Sequence, residues 1–387
     1  MSAEQYGLFG VIFSAFLLLA GLYNAFFLEP ISVIGPTKWS ENIKSYYFLM
    51  IILHIACSLL FTVFLLVASL IANFFAMGKI ATSLQILAVA SPFILFFWLM
   101  RRMPYLENKP AQSLSGTIIY AITVILLLIL FANSQAFRSV VMAFTVLVMA
   151  SLVAGLILAS RIKLKINGVC HYADLKRIIH ENYTYGKWAA AASVVSWLSF
   201  ELYYILTASL LGLEETGAYK ALQILISPLN QIITAFVILI LPWFSKRVTS
   251  VKVSDIKNNV RRITLVISGI AIFYSAIIVT LGDSIIRLFY GGRYLDFSWL
   301  LPYLTITTLV VAIGSGSQIA LRAFQLTRKI FLGVLCSAVA TVTFGIYLTN
   351  LMGIKGVAIG GICTAVTLTA TLTWMSSKYL RRLDSHE

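Results

Sequence analysis

Apolar runs of twenty or more residues recur along this chain from Tyr6 to Ser376. A helix rises about 1.5 Å per residue, so each run can cross roughly 30 Å of hydrocarbon. Only 11% of the residues are charged, against about a quarter in an ordinary soluble domain, so a water-facing surface cannot be assembled from them. The runs predict an all-α polytopic membrane protein with about eleven transmembrane helices. Reading apolar stretches between polar breaks places them near 6–28, 46–72, 80–100, 114–133, 139–160, 188–211, 217–243, 262–289, 297–321, 328–350 and 353–377.

The net charge of +15 does not point to nucleic acid, because the cations sit in short connections between apolar spans and form no basic face on a folded domain. All but six of the 29 Lys and Arg residues, the exceptions being Lys79, Arg138, Lys220, Arg287, Arg293 and Lys355, fall on one side of the expected topology. The positive-inside rule makes that side cytoplasmic, with the C-terminus inside and the N-terminus outside. No Lys or Arg precedes the first span, so it reads as a membrane helix that stays and not as a cleaved signal. Cys57, Cys170, Cys336 and Cys363 lie too far apart for a disulfide framework or a CxxC metal site and read as packing residues. Neither a metal nor a cofactor is expected.

The order of spans repeats. Gln5-Tyr6-Gly7 opens the first span and Pro30 closes it, as Gly217-Ala218-Tyr219 opens the seventh and Pro242 closes it, an offset of roughly 210 residues that the next four spans keep. Spans one to five match spans seven to eleven, and 188–211 has no counterpart. The expectation is a five-helix bundle over 1–165, a basic cytoplasmic linker over 166–185 and a six-helix bundle over 186–387, related by a pseudo-two-fold axis along the membrane normal. The unmatched helix would precede Met1, and this sequence reads as lacking it.

The connections on the expected outer side are short, and the longest stretch between spans, Arg161 to Lys187, carries no nucleotide-binding glycine loop, HExxH or GxSxG. That argues against an enzyme. Within the spans, Glu201 lies about 20 Å from the cytoplasmic end of its helix, where a carboxylate costs at least about 2.5 kcal/mol unless protonated, paired or facing water. It reads either as a cavity-facing group for proton or ion coupling or as a protonated hydrogen-bonder. His54 is a second titratable group at depth, a packed residue or a relay. Asp283 and Arg287, spaced i,i+4, are expected to neutralise each other, and Arg322 to snorkel at a helix end. Either arginine could instead meet a phosphate at a cavity mouth. Gln223, Asn230 and Gln231 share a span with Pro228, which suits a broken, cavity-facing helix or plain interhelical bonding.

Tyr185-Gly186-Lys187-Trp188, Trp197-Leu198-Ser199, Leu211-Gly212-Leu213, Gly217-Ala218-Tyr219-Lys220-Ala221, Pro228 and Leu241-Pro242, with Leu281-Gly282-Asp283, Tyr290-Gly291-Gly292-Arg293-Tyr294 and the opening Glu4-Gln5-Tyr6-Gly7-Leu8-Phe9, resemble polysaccharide flippases. These are the O-antigen and capsule exporters of the multidrug/oligosaccharidyl-lipid/polysaccharide superfamily. The resemblance covers essentially the whole chain and implies a two-lobed inner-membrane transporter that moves polyprenyl-linked oligosaccharides by alternating access, alongside a polymerase and glycosyltransferases. Two readings stand beside it: an exporter of small cationic compounds from the same superfamily, which an acidic cavity would favour, and a membrane-embedded glycosyltransferase or polymerase, which usually needs a large polar loop.

Overall fold

The computed structural model describes residues 12, 15–76, 78–131, 140–162, 172–248 and 251–385, with the side chains of most of them. Eleven long helices follow one another: α1 (Ala15–Lys38), α2 (Ile43–Phe74), α3 (Gly78–Leu106), α4 (Pro110–Phe131), α5 (Val140–Arg161) and α6 (Tyr172–Leu210), then α7 (Leu213–Arg247), α8 (Val253–Tyr290), α9 (Leu301–Ala323), α10 (Thr327–Met352) and α11 (Ile354–Asp384). No strand occurs among the described residues. Among the described residues, ten of the helices are long and apolar enough to cross a membrane. The exception, α6, is 39 residues long and dilutes its apolar stretch with Ser193, Ser196, Ser199 and Glu201. The chain is thus an all-α polytopic membrane protein.

The helices form two compact units that divide between Lys187 and Trp188. In the first, α3 is central and packs against α2 and α5, with α4 against α5; in the second the same pairs recur six helices on, α9 against α8 and α11, and α10 against α11. Small residues make these approaches possible, as in other membrane bundles. A Cβ on Gly155 of α5 would stand 3.5 Å from the Phe97 Cα of α3. Gly314 and Gly316 serve opposite neighbours of α9. A Cβ on Gly314 would meet Thr369 Oγ1 of α11 at 2.9 Å, and one on Gly316 would meet the Val260 carbonyl of α8 at 2.6 Å.

The outer surfaces are apolar. Only 6% of the apolar stretch of α4 is buried, and Leu126, Ile129 and Leu130 stand exposed along it, as do Leu59, Leu60 and Phe64 on α2. Surface of this extent without charge is at home only against lipid.

The structure corrects three expectations. Pro30 does not end the first span: a π-helical turn at Asn24–Leu28 precedes it, and Pro30 falls just beyond, in the α-helical stretch Glu29–Lys38, where the ladder is already off its regular i→i−4 pattern. Nor is the stretch 166–185 simply a linker. Residues 166–171 lie outside the described residues, and from Tyr172 onward the chain is the start of α6. Its Glu181 bonds Lys38 Nζ (3.3 Å) and Trp39 Nε1 (3.3 Å), and Arg177 lies over the Trp39 ring. Finally, Asp283 and Arg287 form no ion pair among the described residues, and both are exposed.

Candidate functional site

Helix α7 carries its polar groups in one register. Lys220, Gln223, Ser227, Asn230 and Gln231 recur at i, i+3, i+7, i+10 and i+11, one face of a 3.6-residue repeat. That face lines a cavity of about 570 Å³ inside the second bundle. Despite Pro228, α7 runs unbroken from Leu213 to Arg247, so the broken helix suggested by the sequence does not occur. A proline removes one backbone donor, and tyrosines of α8 brace the helix nearby: Tyr274 Oη donates to the Leu225 carbonyl (2.8 Å) and Tyr290 Oη to that of Ala221 (2.9 Å).

The other walls are hydroxyl-rich. Helix α6 contributes Ser196, Ser199 and Tyr203, α9 contributes Thr307 and Thr308, and α10 and α11 contribute Ser337, Thr341 and Thr364. Tyr203 Oη and Thr364 Oγ1 share a hydrogen bond of 2.9 Å, and Thr364 bonds Thr341 Oγ1 at 3.0 Å. Thr341 opens a second π-helical turn, Thr341–Gly345. At its end the backbones of α10 and α11 nearly touch: a Cβ on Gly360 would stand 3.1 Å from Gly345 Cα and 3.2 Å from Tyr203 Oη. Two glycines therefore make the slot in which the tyrosine ring lies. Lys220 is the only charged side chain among the described residues of the lining.

Of the residues singled out from the sequence, Gln223, Asn230 and Gln231 meet in this cavity. His54, Arg287 and Arg322 do not join them there. Arg287 is exposed near the end of α8, and Arg322 sits half-buried in the last turn of α9. Glu201 belongs to α6, and its side chain lies outside the described residues. His54 is 4% exposed inside the first bundle, where Tyr23 Oη meets its Nδ1 at 2.8 Å and the Tyr23 and Phe96 rings pack against it.

The first bundle also holds a polar cluster that the sequence reading missed. Glu29 and Arg102 are each only 8% exposed. Asn24 Nδ2 and Tyr185 Oη both donate to the Glu29 carboxylate at 3.2 Å, and Arg102 Nη2 donates to Asn24 Oδ1 at 3.4 Å. The cluster gathers α1, α3 and α6 around the π turn of α1.

The sequence family described as "Polysaccharide biosynthesis protein" matches residues 1–299. A search of curated protein sequences finds no match. Among solved structures, the chain is similar to a MATE transporter in its straight conformation (TM-score 0.83, 14% identity, covering 99% of this chain and 89% of that one). It is similar also to an outward-facing multidrug resistance MATE family transporter of the MOP superfamily (TM-score 0.81, 15% identity, 98% and 88%). A third is a MOP superfamily transporter from Pyrococcus furiosus, for which reverse polarity of the binding pocket suggests a different function (TM-score 0.80, 15% identity, 98% and 88%). At these identities the likeness establishes the fold.

Proposed function

We propose that this chain, which belongs to the family of polysaccharide biosynthesis proteins, moves lipid-linked oligosaccharide units across the bacterial inner membrane by alternating access. The observation that carries this reading is the chemistry of the second-bundle cavity. Its amides and hydroxyls can exchange hydrogen bonds with sugar hydroxyls, and Tyr203 offers a ring edge beside them. Its volume of about 570 Å³ falls within the usual range for small-molecule sites, about 300–1,000 Å³. Lys220 supplies positive charge for a phosphate-linked substrate. A cation exporter would instead call for carboxylates, and none lines the cavity among the described residues. The charge asymmetry of the sequence favours a cytoplasmic C-terminus, and the glycosyltransferases that build such units and the polymerase that consumes them would be the partners.

Proteoliposomes loaded with a labelled polyprenyl-linked oligosaccharide test the reading. The double variant Gln223→Leu/Asn230→Leu removes four hydrogen-bonding atoms from one wall and is expected to slow flipping at least about tenfold, since each lost bond is worth about 1 kcal/mol. Thermal unfolding should stay near that of the wild type, because Asn230 is exposed and Gln223 half-buried. Flipping at the wild-type rate, or faster efflux of a cationic dye than of the oligosaccharide, would overturn the proposal.

Glu201 is proposed as the titrating group of the cycle, because an ionisable side chain deep in a span is costly to keep without a task. Glu201→Gln retains the shape of the protonated form. It is expected to flatten the pH dependence of flipping, and a profile unchanged from wild type would remove Glu201 from the coupling role.

A further inference from the structure

At one end of the first bundle the start of α2, the end of α3, the start of α4 and the end of α5 meet around a pocket of about 240 Å³. Among its described residues, Lys44, Lys109 and Arg161 bring three cations to its wall, against one carboxylate, that of Glu107. That carboxylate is already engaged, since Lys109 Nζ lies 2.6 Å from Glu107 Oε2. Arg161 Nη1 donates to Ser115 Oγ at 2.7 Å, a neutral partner that orients the guanidinium without cancelling its charge. Lys44 is half-buried and has no ion-pair partner among the described residues. The floor is rigid, because Tyr47 Oη bonds the Met103 carbonyl at 3.0 Å.

The second bundle repeats this arrangement with a different outcome. There the start of α8 and the end of α11 bring together Lys257 and Asp384, which pair at 2.8 Å. In the first bundle both corresponding ends are basic, Lys44 near the start of α2 and Arg161 at the end of α5. In the second bundle one cation is paired from within, beside the further cations Arg381 and Arg382 of α11, whereas Lys44 and Arg161 have no carboxylate partner among the described residues.

We propose that this corner of the first bundle is a binding site for a phosphate group, held between the Lys44 ammonium and the Arg161 guanidinium. A phosphate offers several acceptor oxygens to cations on different helices, which a single carboxylate does not. Directly along α4 from the pocket, Leu114 and Ile118 are 59% and 49% exposed, a path for acyl chains when the phosphate belongs to a lipid. A free phosphate has no use for that path.

The test uses the full-length protein in detergent, with phosphatidylglycerol, phosphatidylcholine and inorganic phosphate as probes. Native mass spectrometry is expected to show phosphatidylglycerol retained at a roughly thirtyfold lower concentration by the wild type than by Lys44→Gln/Arg161→Gln, as follows from about 1 kcal/mol for each of two cations at a membrane surface. Phosphatidylcholine should not discriminate the two. The charge-keeping pair Lys44→Arg/Arg161→Lys should bind as the wild type does, which separates loss of charge from loss of fold, and Lys257→Gln should change nothing. Inorganic phosphate that raises the wild-type thermal midpoint but not that of the double variant assigns the site to free phosphate. Equal phosphatidylglycerol retention by wild type and double variant without phosphate protection overturns the proposal, as does a loss that Lys257→Gln reproduces.

Discussion

Alanine at position 356 is expected to destabilise the second bundle by about 3 kcal/mol, the upper range for forcing an extra carbon into a packed site. The added methyl would fall on the carbonyl of Leu348 and stand 2.8 Å from the Thr349 nitrogen. Both are backbone atoms of α10 just before the turn at Gly353, whose φ of +60° already confines that position to glycine-like conformations. A side chain in the way could change rotamer, but a backbone carbonyl can retreat only if α10 and α11 part. Parting would also open the contact between Gly345 and Gly360 and release Tyr203. Unfolding of purified Gly356→Ala in graded denaturing detergent measures the loss. Gly269→Ala is the control, since a Cβ there meets nothing within 4 Å. Equal stability of the two variants would show that the close approach at Gly356 is not a constraint.

Glu29→Leu is the second large effect. Leucine removes the acceptor of both the buried Tyr185 Oη and the part-buried Asn24 Nδ2, and each buried donor left without a partner costs about 1–3 kcal/mol. The expected loss is therefore about 2–5 kcal/mol. Glu29→Gln keeps one carbonyl oxygen and should lose clearly less. A cycle with Tyr185→Phe isolates the bond between α1 and α6, with a coupling of about 0.5–3 kcal/mol expected. Identical stabilities for the Leu and Gln variants would mean that the carboxylate oxygens contribute nothing and that only the volume of the side chain matters.

How far the sequence could be read depended on whether the deciding partner was close along the chain. Spans such as α2 and α8 were legible because length and apolarity alone define a membrane helix, and the polar face of α7 because Gln223, Asn230 and Gln231 obey one local period. Proline misled at Pro30, where a π turn already precedes it, and suggested at Pro228 a break that α7 does not make. The i,i+4 spacing of Asp283 and Arg287 permits a salt bridge without requiring one where both side chains reach solvent or lipid headgroups. The cluster at Glu29 was out of reach because Tyr185 is 156 positions away and Arg102 is 78 from Asn24. Tyr203 was hidden for a similar reason, with Thr364 lying 161 residues along the chain.

The glycine pair at Gly345 and Gly360 bears on how force would pass through the second bundle. Most helix pairs touch through side chains, which act as soft bumpers: a displacement of one helix is partly absorbed by rotamer changes before it reaches the next. Where Gly360 abuts Gly345 there is no bumper, and the backbone of α11 rests on that of α10. The two helices are mechanically in series at that point, as two rods welded at one spot, and the Tyr203 hydroxyl, bonded to Thr364 one turn along α11, sits beside the weld. A tilt of α11 is therefore delivered undamped to α10 and to the cavity wall they share.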